Sequence, residues 1–100
     1  MENQPQLNIE LPEEIAEGSY ANLAIITHSG SEFVVDFVRI MPNMPKARVQ
    51  SRIILTPQHA KRLMRALSDN VRRYEQQFGT IEDQEPFPPM PMNFTPTAQA

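Results

Sequence analysis

The first ordered stretch of the chain alternates strictly between apolar and polar residues. In Gln6-Leu7-Asn8-Ile9-Glu10-Leu11, Leu7, Ile9 and Leu11 share one face, which predicts a short strand ended by Pro12. Glu13, Glu14 and Glu17 follow in a loop or single helical turn closed by Gly18. Residues 20–27 predict a second strand, with Ala21, Leu23 and Ile25 on one face and Tyr20, Ala24 and Ile26 on the other. His28-Ser29-Gly30-Ser31 has the length of a hairpin turn, with Gly30 free to take positive φ. Residues 32–41 predict a third strand. It is largely apolar on both faces, Phe33, Val35 and Phe37 on one and Val34, Asp36, Val38 and Ile40 on the other, so it should be central. After a loop with two prolines, residues 46–55 predict a fourth strand. Ala47, Val49, Ser51, Ile53 and Leu55 would face inward, and Lys46, Arg48, Gln50 and Arg52 outward.

The period then changes from two to 3.6. Thr56 is a strong N-cap, and Pro57 suits the first helical position, where a missing N–H costs nothing. Ala60, Leu63, Met64, Leu67, Val71, Tyr74 and Phe78 form one apolar stripe, and Gly79 supplies the stop. The predicted fold is α+β. A four-stranded antiparallel sheet, near residues 6–11, 20–27, 32–41 and 46–55, is followed by one long C-terminal helix packed across one of its faces. Residues 1–5 read as a disordered N-terminus, 6–79 as a single domain, and 80–100 as a disordered acidic tail with five prolines. So small a core, with one helix to cover a two-faced sheet, predicts a homodimer.

Charge changes this picture. All nine basic residues lie between Arg39 and Arg73, where Asp69 is the lone acid, so this segment carries +8 within a chain of net charge −3. Arg39, Lys46, Arg48 and Arg52 fall on or beside the strands; Lys61, Arg65 and Arg72 fall on one flank of the helix, with Arg62 and Arg73 further round. These first seven are the candidate residues for binding nucleic acid or another anionic partner, because clustered cations release the counterions condensed on phosphates. The alternative is a protein-interaction module that meets an acidic protein through the same patch and uses the proline-rich tail as a peptide ligand. No constellation supports an enzyme. The three glycines are isolated, cysteine is absent, and His28 and His59 have no metal-ligand spacing. No catalytic residue, cofactor, metal or small-molecule substrate is expected. Without a signal peptide or a membrane-length apolar run, the expected location is the cytoplasm.

The run Ser51-Arg52-Ile53-Ile54-Leu55-Thr56-Pro57-Gln58-His59-Ala60-Lys61-Arg62-Leu63 is the most distinctive in the chain. With Tyr20-Ala21-Asn22-Leu23, residues 31–37 and the Tyr74 to Gly79 ending, it resembles a family of short bacterial proteins of unknown function. The resemblance covers roughly residues 6–80 and implies a compact strands-then-helix domain. It brings no catalytic residues. The element order is also similar in outline to dimeric single-strand binders of the Whirly and Pur-alpha kind. Those interleave aromatic residues with their cations for base stacking, whereas Lys46, Arg48 and Arg52 have no aromatic between them.

Overall fold

The computed structural model describes residues 6–83; the expected disordered N-terminus (1–5) and most of the proline-rich tail lie outside them. The element order is α1 (Glu13–Ala16), β1 (Leu23–His28), β2 (Phe33–Arg39), β3 (Arg48–Leu55) and α2 (Pro57–Phe78). The strands make one antiparallel sheet in the order β1-β2-β3. The fold is therefore α+β, with three strands rather than four among the described residues. The residues form two compact units, one running to Met64 and the other starting at Arg65, so the division falls inside α2.

The expected first strand does not form. Leu7 and Ile9 remain 85% and 84% exposed, and no ladder includes residues 6–11. Alternation shows that a segment could present one apolar face, but a strand also needs a neighbour for its N–H and C=O groups. Without that strand, the four-strand element order shared in outline with the single-strand binders lapses. The acidic segment after Pro12 closes as a helical turn, in which Ile15 and Ala16 N–H both donate to Pro12 O and Gly18 takes φ 80°.

β2 is central, as its two apolar faces require. It supplies the core: Val35, Val38 and Asp36 are buried. The register places Phe33, Val35 and Phe37 on one face with Ile26 of β1 and Ile53 of β3. Val34, Asp36 and Val38 share the other with Ile25 of β1 and Arg52 of β3. The β1–β2 turn closes with Ser29 N–H donating to Glu32 O at 2.9 Å, and Gly30 does not use positive φ. Left-handed backbone occurs instead at Asn43, with φ 66°, in the proline-flanked loop before β3.

Asn22 holds the start of β1 to the end of β2. Its Nδ2 donates to Ile40 O at 3.0 Å, and its Oδ1 accepts from Ile40 N–H at 2.8 Å. One side-chain amide thus satisfies both backbone groups of a residue just beyond the ladder.

α2 has the bounds its caps predict. Thr56 Oγ1 accepts from His59 N–H at 3.2 Å, and Gly79, at φ 102°, donates its N–H to Glu75 O at 2.9 Å. The apolar stripe, expected to pack across the sheet, has no buried residue; Leu67 is 60% exposed and Phe78 66%. No helix among the described residues is long and apolar enough to cross a membrane.

Candidate nucleic-acid interface

A bulge rearranges the expected basic face of β3. Phe37 pairs with Ser51, but Val38 pairs with Val49, so Gln50 is an extra residue with no partner on β2. Because side chains alternate, one inserted residue exchanges the faces beyond it. Arg52 lies on the face of Asp36, whereas Arg48 is paired with Arg39 on the opposite face. The expected outward row of Lys46, Arg48, Gln50 and Arg52 is therefore split.

The two sides of the bulge differ in charge. Arg52 is committed to Asp36 through two parallel bonds, Nε to Oδ1 at 2.7 Å and Nη2 to Oδ2 at 2.9 Å. Asp36 is only 2% exposed. The Arg52 hydrogen bonds hold its carboxyl below the usual carboxylate value, against the upward push of burial and with added help from the Arg52 charge. The same carboxylate holds the Arg52 guanidinium above its ordinary value. Arg52 is thus a structural cation, neutralised within the sheet.

Arg39 and Arg48 are the reverse case. They sit directly opposite one another where β2 ends and β3 begins, and no carboxylate among the described residues bridges them. Like charges in this position repel. The Nε of Arg39 turns to Met41 Sδ at 3.2 Å. Lys46 is exposed in the segment that leads into Arg48.

On α2 the helical period puts Lys61, Arg65 and Arg72 within about 40° of arc, and Arg62 and Arg73 extend the basic face to about 120°. Asp69 lies among them. It accepts from Arg72 Nη2 at 2.7 Å and from Arg73 Nη2 at 2.5 Å. These bonds, Arg72's first, lower its pKa. Lys61, Arg62 and Arg65 have no carboxylate within ion-pair distance among the described residues. The expected sites therefore fall into three groups: Arg39, Lys46 and Arg48 at the sheet end, Arg52 tied to Asp36, and Lys61, Arg65 and Arg72 along α2. Arg62 belongs with the last group, and its angular position alone places it there.

Other chemistry is sparse. No group of three or more His, Asp or Glu side chains among the described residues could hold a metal ion. A hollow of about 460 Å³ beside α1 is lined by Glu14, Ile15, Phe37, Ser51 and Ile53 among others. It offers one carboxylate and two serine hydroxyls, from Ser19 and Ser51, with no histidine or lysine beside them. His28 stacks on Phe33 with ring centroids 5.3 Å apart, which gives it a packing role at the turn.

Comparison with curated proteins finds no match, and neither does comparison with solved structures. The family comparison matches the model Protein of unknown function (DUF3467) over residues 1–83. This span includes every described element and each of the basic groups above, and the chain belongs to that DUF3467 family.

Proposed function

We propose that this protein is a small non-enzymatic binding protein that holds nucleic-acid phosphates along the basic face of α2. The carrying observation is the triplet Lys61, Arg62 and Arg65, which project from the first turns of a capped helix without a neutralising carboxylate among the described residues. A helix fixes their spacing before any ligand arrives, so little ordering is left for binding to impose. No aromatic residue lies among these cations, which favours contacts to the phosphate backbone over base stacking. Arg39 and Arg48 are a second phosphate site on the same grounds, since an anion between them would relieve their repulsion. Arg52 drops out of the binding set.

The test is fluorescence anisotropy of labelled single-stranded DNA, duplex DNA and RNA at two salt concentrations. Affinity should fall steeply with salt, by about 0.7–0.9 logarithmic units per decade of salt for each phosphate contacted. Replacing Lys61, Arg62 and Arg65 together with Ala should reduce that slope by about 2–3. Absence of binding at low salt, or binding indifferent to salt, overturns the reading and leaves an acidic protein as the partner to seek.

A further inference from the structure

We infer that α2 is the seam of an antiparallel homodimer. This goes beyond the phosphate-binding reading and does not depend on it. The apolar face of α2 is a heptad seam rather than a broad stripe. Ala60, Met64, Leu67, Val71, Tyr74 and Phe78 recur at alternating steps of four and three residues. Met64, Val71 and Phe78 take one seam position, and Ala60, Leu67 and Tyr74 the other. Each of the large side chains among them is exposed in the single chain. The described core offers only Val35 and Val38 as buried apolar residues, so the fold needs apolar surface covered from outside.

Charge and volume identify the occupant and its direction. Lys61 and Glu75 lie two heptads apart on the same flank of the seam. In a parallel pair, that flank meets the opposite flank of the partner, which carries Leu63, Asn70 and Gln77 and no charge. In an antiparallel pair, each flank meets its own copy in reverse. Lys61 then faces Glu75 of the second copy, and Glu75 faces its Lys61. The same register stacks Ala60 against Phe78 of the second copy, Met64 against Tyr74, and Leu67 against Val71. At each end of the seam the small Ala60 therefore meets the large Phe78, as close packing favours. Glu75 Oε2 accepts from Ile81 N–H at 2.9 Å, which fixes the carboxylate at the helix end and leaves Oε1 with no partner among the described residues. The rest of the basic face, Arg62, Arg65, Arg72 and Arg73, lies on the far side of the helix from the seam, so dimerisation would take Lys61 into the seam flank and leave the others open on both copies.

The test is sedimentation equilibrium of the full chain with two charge reversals. The protein should dimerise at micromolar concentration. Lys61→Glu and Glu75→Lys should each weaken the dimer about tenfold, because each sets like charges against one another. An equimolar mixture of the two variants should recover the original affinity as a heterodimer, since the reversed charges again meet opposite ones. A monomer at high concentration, or a mixture no tighter than its components, overturns the proposal. The cysteine-free sequence permits an independent check of direction. Ala60→Cys mixed with Phe78→Cys should give a mixed disulfide on mild oxidation, with Ala60→Cys alone giving none. The opposite result would mean a parallel seam and would also overturn it.

Discussion

The sheet and the long helix are specified by different means. In the sheet, long-range polar contacts set the arrangement. Asp36 meets Arg52 across 16 residues, and Asn22 meets Ile40 across 18. The helix is specified locally, by Thr56 at its start, Gly79 at its end, and Asp69 bonded to Arg72 and Arg73 three and four residues on. The sheet buries a core around β2, whereas α2 buries nothing. Local signals can therefore write a helix completely without saying what covers it. A sheet cannot be written locally, because its pairing is a relation between distant segments.

The contrast breaks most sharply at Arg52. Arg52→Ala would strand Asp36, a carboxylate only 2% exposed, without its two hydrogen bonds. A cost of about 2–3 kcal/mol is expected for leaving such a group unsatisfied, read as a lower midpoint in urea. Arg48→Ala, four residues away, should leave stability nearly unchanged and weaken nucleic-acid binding instead. If the two substitutions destabilise equally, Asp36 is not what anchors the sheet. The ion pair also has a pH signature. The folded-state pKa of Asp36 lies below its unfolded value near 3.8. Its stabilisation is therefore complete above about pH 5 and is lost as pH falls through the folded value. Unfolding curves of the wild type should shift downward below about pH 4, and those of Arg52→Ala should shift less.

What the sequence made legible follows the same division. The ends of α2 could be read because Thr56-Pro57 and Gly79 act within a few residues. Three strands could be read because alternation is local, and β2 was recognisably central because it is apolar on both faces. Residues 6–11 carried the same alternation yet form no strand, since alternation does not supply a pairing partner. The bulge at Gln50 was invisible for a related reason. It exists only in the pairing of β3 with β2, and a single unpaired residue moved Arg48 away from Arg52. Of the seven candidate cations, the helix trio kept its shared face, because the helical period fixed it. The strand set was divided, and Asp36, the acid that claims one member, gave no signal beyond being a charge in an apolar strand.

Thr56→Ala tests the helix at its other extreme of scale. Removing the hydroxyl that accepts from His59 N–H should cost about 1 kcal/mol, read as a loss of helical circular dichroism. The loss should be larger in dilute protein than in concentrated protein if self-association supports the helix. An effect independent of concentration would mean that the caps alone hold it.

The smallest effect is expected at Gly79, where the contribution is purely conformational. Its φ of 102° is one that residues with a side chain rarely adopt, and an added Cβ would meet nothing within 4 Å. Gly79→Ala therefore costs strain without a clash, about 1 kcal/mol at most, because the exposed helix end can unwind by a residue to relieve it. Unwinding would release the bond from Gly79 N–H to Glu75 O and loosen the one from Ile81 N–H to Glu75 Oε2. Amide hydrogen exchange should thus quicken from Glu75 to Ile81 while the β2 amides keep their protection. If β2 exchange quickened equally, the end of α2 and the sheet would open as one cooperative unit. The local specification of the helix would then not translate into local stability.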